Sequence, residues 1–173
     1  MDRDRIIQKL RSKTLTVDGE DYKLERELGR GGNGVTFLCR GSGTEKVVAK
    51  IYIPPDSRDL DERALRRFQN EIAITSRIKH AHVVPSVGAS SVSIGAYQLP
   101  FYLMPVASGT LRGEITADQN PDTVERKLRL FLRAGFGVAC LHHHGIIHRD
   151  IKPENILINR LGDHGSRTWE SHM

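Results

Sequence analysis

Four glycines fall within the six residues Gly29-Arg30-Gly31-Gly32-Asn33-Gly34, and the apolar run Val35-Thr36-Phe37-Leu38-Cys39 follows directly. That order constrains the fold more than any other feature of the chain. A glycine-rich turn that opens a helix belongs to a dinucleotide-binding fold, whereas one that opens a strand belongs to a hairpin. Glycines also let backbone N–H groups approach phosphates with no Cβ in the way. A plain structural hairpin turn is the alternative reading of this motif taken alone.

The rest of the pattern agrees with a sheet-first architecture. Residues 15–17 and 22–24 flank Asp18-Gly19, a strong hairpin signal. Residues 35–40 and 46–53 alternate as two strands, and Pro54-Pro55-Asp56 breaks the sheet. The periodicity predicts a helix over 60–79, strands over 83–91 and 97–104, an irregular stretch over 108–121 and a second helix over 124–142. In that second helix Leu128, Phe131, Leu132, Val138, Ala139 and Leu141 are the apolar positions. Residues 1–13 read as a short basic amphipathic helix or a frayed tail. Strands come early and helices late, which is α+β order.

Lys50 ends the apolar run Val47-Val48-Ala49-Lys50. An ammonium in such a strand must be paired or reach water. Period-2 alternation puts Val48 on its face. The alternative is an edge-strand Lys that guards against aggregation. On the helix over 60–79, at about 100° per residue, Thr75 and Phe68 fall within roughly 60° of Glu71, so Glu71 points along the apolar arc. A buried carboxylate there needs a cation, and Lys50 is the candidate; a surface Glu that snorkels to water is the other reading.

The segment His148-Arg149-Asp150-Ile151-Lys152-Pro153-Glu154-Asn155-Ile156-Leu157 places an acid, a Lys two positions on and an Asn five positions on, ahead of an apolar strand. This spacing suits phosphoryl transfer: the carboxylate accepts a hydroxyl proton, the Lys holds a phosphate and the Asn oxygen holds Mg²⁺.

Bulk properties exclude several classes. The formal charge is +5, but Lys and Arg are spread along the chain with no long run, so a solvated basic surface is favoured over a nucleic-acid site. No stretch approaches the ~20 apolar residues of a membrane span, and the N-terminus has no signal-peptide core. Cys39 and Cys140 lack metal spacing and read as buried, reduced thiols of a cytosolic protein, so a cytoplasmic location is expected. His142-His143-His144 do not share a helix face, which argues against a metal site.

Taken in order, the glycine-rich turn, strand Lys, helix Glu and His-Arg-Asp-Ile-Lys-Pro-Glu-Asn segment resemble the eukaryotic-type (Hanks-type) protein kinase family over residues 22–162, in its serine/threonine form. The resemblance implies an α+β kinase fold: an N-lobe with a five-stranded antiparallel sheet and one main helix, then the start of a helical C-lobe. It implies transfer of the ATP γ-phosphate to a protein Ser or Thr hydroxyl with Mg²⁺. Asp150 would be the catalytic base, Lys152 a phosphate contact and Asn155 a Mg²⁺ ligand. Lys50 would hold the α- and β-phosphates and pair with Glu71. Nucleotide contacts would come from Leu28, Gly29, Gly31, Gly34, Thr36, Val48, Met104, Pro105, Ala107 and Leu157, with Met104 as gatekeeper and Pro105 and Ala107 at the adenine edge.

The implied layout is an extension over 1–21, an N-lobe over 22–106, a partial C-lobe over 107–162 and a tail over 163–173 that resembles nothing in the family. The family's second metal ligand lies in an Asp-Phe-Gly after a returning strand. Here Asp163-His164-Gly165 stands only eight residues after Asn155, which leaves no room for that strand, so Asp163 reads as a turn residue. Two functions follow as expectations: a kinase truncated after its catalytic loop, or a catalytically incompetent fragment that binds nucleotide or a partner. The second helix would lack part of its cover at Leu128, Phe131, Leu132 and Val138, a surface for association.

Overall fold

The computed structural model describes residues 2–32, 34–43, 45–54, 62–117, 124–160 and 166–170. It divides into two compact units, Met1–Arg77 with Ser86–Val106, and Ile78–Pro85 with Ala107–Met173.

The first unit is an antiparallel sheet with a helix on each face. Its strands are β1 (Thr14–Val17), β2 (Glu20–Gly31), β3 (Gly34–Arg40), β4 (Lys46–Tyr52), β5 (Gly88–Ile94) and β6 (Tyr97–Pro105), in the order β1-β2-β3-β4-β6-β5. The sheet thus has six strands where five were expected, because Thr14–Val17 pairs with β2 as an edge. The turn between them works as its sequence suggests: Asp18 and Gly19 both take positive φ, 51° and 83°. β5 starts at Gly88 instead of residue 83. Pro85 has no N–H to give a ladder, and Val83 and Val84 are buried in the second unit.

Period-2 alternation divides the sheet residues between two faces. Val35, Phe37 and Cys39 of β3, Val47, Ala49 and Ile51 of β4, and Phe101 and Leu103 of β6 form one cluster. The helix α1 (Arg3–Leu10) covers it with Ile6, Ile7 and Leu10, none more than 1% exposed. Asp2 caps α1 by accepting from the Asp4 N–H. Of the two sequence readings for residues 1–13, a helix and a frayed tail, the helix holds because three apolar side chains on one stripe have a sheet face to cover; each is worth about 2 kcal/mol. Cys39 lies within this cluster, and burial pushes its thiol up to about 12, so it is an inert core thiol. Cys140 is only half-buried, unlike the expectation for both.

The opposite sheet face carries Lys50 and receives α2 (Glu62–Arg77), whose buried stripe is Ala64, Phe68, Glu71 and Thr75. Thr75 returns its hydroxyl to the Glu71 carbonyl at 3.0 Å, which satisfies it inside the core.

The second unit holds a three-stranded sheet, β7 (Gly109–Thr110), β8 (Ile156–Arg160) and β9 (Ser166–Glu170), and two helices, α3 (Leu111–Ala117) and α4 (Val124–His143). Two features differ from the sequence reading. Part of the stretch over 108–121 expected to be irregular is α3, started by Thr110, whose hydroxyl accepts the Gly113 N–H at 3.2 Å. A strand lies within the stretch expected to be a tail: Ser166–Glu170 pairs antiparallel with Ile156–Arg160. It follows Asp163 instead of preceding it, and Asp163 itself lies outside the described residues. As expected, α4 leaves Leu128, Phe131 and Leu132 more than half exposed, Phe136 likewise, while it buries Leu130, Ala134, Gly137 and Leu141. Of the six apolar positions only Leu141 is buried, and Val138, expected on the uncovered face, is half-buried.

A Cβ on Gly137 would sit 2.3 Å from the His82 carbonyl oxygen, so the glycine admits a close backbone approach there. The Gly137→Ala variant is expected to lose about 1–3 kcal/mol of stability, as overpacked sites do. Thermal unfolding reads this; an unchanged midpoint would show that the two segments part freely.

Candidate active site

In the first unit the central pairing is between β4, β6 and α2. The Lys50 Nζ lies 2.6 Å from Glu71 Oε1, with the two side chains 15% and 6% exposed, so the ion pair is nearly dry. The inward direction expected for Glu71 is borne out, as is its cation. Tyr102, directly opposite Lys50 in the β4–β6 register, donates its hydroxyl to the same Glu71 oxygen at 2.6 Å. Burial, then the neighbouring Glu71 charge, raises the Tyr102 phenol well above its ordinary range, which keeps it a donor. Phe68 packs beneath: its ring centroid lies 6.0 Å from the Lys50 ammonium, 5.7 Å from the Tyr52 ring and 5.9 Å from the Tyr102 ring. A cation over an aromatic face is attracted by the ring quadrupole. Tyr102 is a contact that sequence reading missed. Its signal was available only through register, because strand pairing, not spacing, sets it opposite Lys50.

Around the pair, Thr36 faces Lys50 across the β3–β4 ladder and Val48 faces Met104 across β4–β6. Alternation then places Thr36, Val48 and Met104 on the Lys50 face. Val48 and Met104 are buried, Pro105 is half-buried, and Leu28 is 42% exposed beside the hairpin. The glycine-rich hairpin closes with Gly31 opposite Gly34. Gly29 and Gly31 have nothing within 4 Å of where a Cβ would stand. Gly34 differs: a Cβ there would meet the Ile51 carbonyl oxygen at 2.5 Å. Its glycine is required by β4 packing, whatever the loop binds.

In the second unit Asp150, Lys152 and Asn155 form one cluster. Lys152 Nζ lies 2.8 Å from Asp150 Oδ2, and Asn155 Nδ2 donates to Asp150 Oδ2 and to the Asp150 carbonyl, each at 2.9 Å. The Lys152 hydrogen bond first, then that from Asn155, holds the Asp150 carboxyl below the usual carboxylate range, so it is ionised at neutral pH. His148, buried and unremarked as a positioning group in the sequence, accepts the Asp150 N–H on its ring Nδ1 at 3.3 Å. Arg149 takes a positive φ of 65°, a conformation costly for an L side chain. Arg112 ties the loop to α3: its backbone N–H donates to the Pro153 carbonyl at 3.0 Å and its guanidinium donates to Glu154 at 2.7 Å. Leu157 and Ala107, the remaining nucleotide contacts expected, belong to this unit and are half-buried.

For Mg²⁺ the described residues offer the Asn155 amide oxygen beside the Asp150 carboxylate, and no group of three His, Cys, Asp or Glu side chains gathers among them. Mg²⁺ usually keeps several waters and is held by one or two side chains plus substrate phosphates. The donor set therefore fits a metal carried in on a polyphosphate, not a resident one.

One unit carries a strand Lys paired to a helix Glu, and the other an Asp-Lys-Asn cluster in the loop before β8. The family model described as the protein kinase domain matches residues 22–170, most of the chain, and the chain belongs to that family. It is 29% identical over 168 residues to serine/threonine-protein kinase PknD of Protochlamydia amoebophila, covering 90% of this chain and 17% of that protein. It is 30% identical over 137 residues to serine/threonine-protein kinase pkn3 of Myxococcus xanthus, covering 79% and 24%. With receptor-like protein kinase FERONIA of Arabidopsis thaliana the identity is 32% over 147 residues, covering 81% and 15%. The chain thus spans less than a third of the length of these relatives.

Proposed function

We propose that this chain carries the ATP-handling strands and the catalytic loop of a protein serine/threonine kinase, acting on a protein Ser or Thr hydroxyl. In this reading Asp150 accepts the hydroxyl proton as the substrate oxygen attacks the γ-phosphorus, and the bond to the β-phosphate oxygen breaks. Lys152 holds the transferring phosphoryl group. Lys50 holds the α- and β-phosphates and is itself held by Glu71. Asn155 would hold Mg²⁺, which when bound neutralises charge on the phosphate oxygens. The nearly dry Lys50–Glu71 pair carries the reading, since a buried pair of this kind is costly unless something uses it.

A second reading keeps nucleotide or partner binding without turnover. It is favoured by the sequence, which contains no Asp-Phe-Gly. A cytoplasmic location fits either reading, and no helix among the described residues is long and apolar enough to cross a membrane. ATP binding separates both readings from a merely structural role. Lys50→Met is expected to weaken Mg·ATP affinity about tenfold to a hundredfold, the range of a lost charge-assisted hydrogen bond. Calorimetric titration reads it, and equal affinity in the variant would remove Lys50 from the site.

Partner association is proposed through the outward face of α4, where Phe131 and Leu132 are 59% and 62% exposed. The 173-residue polypeptide is expected to bind a hydrophobic dye and to self-associate with concentration. Light scattering that stays monomeric at high concentration, with no dye binding, would count against this.

A further inference from the structure

Among the described residues of the glycine-rich hairpin, three glycines stand in open space on the side where a Cβ would be. Gly29, Gly31 and Gly32 have nothing within 4 Å of a Cβ position, and glycine has the largest backbone freedom to lose. Yet the tip is tied, and the tie comes from ahead of the family match, which begins at residue 22. The Arg3 guanidinium on α1 donates through Nη2 to the Gly31 carbonyl and, at 3.3 Å, to the Gly34 carbonyl. These are the two residues that face each other where the hairpin closes. Two side-chain pairs reinforce the link: Arg30 of the hairpin with Asp4 of α1, and Arg11 with Glu27 of β2 at 3.0 Å. Such exposed pairs are individually weak. The Arg3 contacts differ because their acceptors are backbone, and because α1 itself is anchored by the fully buried Ile6, Ile7 and Leu10.

We propose that α1 is a clamp on the glycine-rich hairpin, and that Arg3 is the positioning residue that sets the orientation of its tip peptides. A trans peptide is planar, with its C=O and N–H pointing opposite ways. Holding the Gly31 carbonyl toward α1 therefore turns the Gly32 N–H away from it. α1 covers the sheet face of Val47, Ala49 and Ile51, opposite to the face of Lys50. The clamp thus fixes the plane of the Gly31–Gly32 peptide, and with it the direction of the Gly32 N–H, in the hairpin where an anionic phosphate is expected to lie. The restraint of the hairpin stands on geometry alone; its effect on nucleotide rests on the kinase reading.

The test is hydrogen exchange on the whole 173-residue chain, comparing wild type with Arg3→Ala, Arg3→Lys and Arg5→Ala, Arg5 being an exposed neighbour on the same helix. Arg3→Ala is expected to accelerate exchange of the Gly31, Gly32 and Gly34 amides about three- to tenfold, as loss of one hydrogen bond does. Arg3→Lys, a single ammonium in place of a fork, should fall between, and Arg5→Ala should match wild type. The amides of α1 should keep their protection. Unchanged tip exchange in Arg3→Ala overturns the clamp. Equal acceleration over α1 and the sheet also overturns it, since Arg3 would then hold the helix down and not the hairpin. Affinity for Mg·ATP and for adenosine is measured alongside. ATP should weaken severalfold and adenosine should not; a loosened tip with unchanged ATP affinity supports the clamp and counts against the phosphate role of the hairpin.

Discussion

The 173-residue polypeptide, assayed with labelled ATP, Mg²⁺ and a generic basic protein, is expected to transfer phosphate at least ~10²–10³-fold more slowly than a kinase with a complete metal site. Phosphoryl transfer asks little covalent chemistry of the protein; it depends on positioning and on neutralising charge at the β- and γ-oxygens. Here Asn155 supplies one neutral amide oxygen, and Asp150 is engaged by Lys152 and Asn155. Losing one preorganised electrostatic group costs about 3–4 kcal/mol. The control is Asp150→Asn, which keeps the shape and removes the charge. Clear turnover by the parent chain that disappears in this control would sink the expectation and point to Asp163 as a working metal ligand.

The second large effect is on stability. Glu71→Ala is expected to cost about 3–5 kcal/mol, because it strands the Lys50 ammonium and the Tyr102 hydroxyl without the oxygen both contact. Glu71→Gln keeps the volume and one acceptor and should cost less. Tyr102→Phe removes a single hydroxyl while leaving the aromatic packing on Phe68, and should cost about 1–2 kcal/mol. Urea unfolding of the three variants gives the ranking. A Glu71→Ala loss below that of Tyr102→Phe would mean that the pair is solvated in solution and that α2 does not hold Glu71 inward.

Much of this architecture was legible in one dimension. The Asp18-Gly19 turn, the hairpin at Gly29–Gly34 and the inward direction of Glu71 all follow from local rules: positive-φ residues at turns, period 2 in strands and 3.6 in helices. These rules act over a few residues, so spacing reports them faithfully. The Asp150–Asn155 cluster is also local, a loop closed within five positions.

Other contacts join residues far apart in the chain. Nothing near Tyr102 in sequence marks it as the third member of the Lys50–Glu71 pair; β4–β6 register does. For α4 the sequence marks the uncovered apolar side but not the residues that pack. Leu128, Phe131 and Leu132 are exposed, while Leu130, Ala134, Gly137 and Leu141 are buried, and at Gly137 the missing Cβ lets the His82 carbonyl come close. The first helix shows the same division. Its amphipathic pattern is written in Ile6, Ile7 and Leu10, but whether such a helix frays or packs depends on a sheet face assembled from six strands and on Arg3 meeting two distant carbonyls. Periodicity says which side of an element is apolar. The surface waiting for that side exists only once the strands have paired, and that pairing selects the faces, the register and the long-range polar contacts.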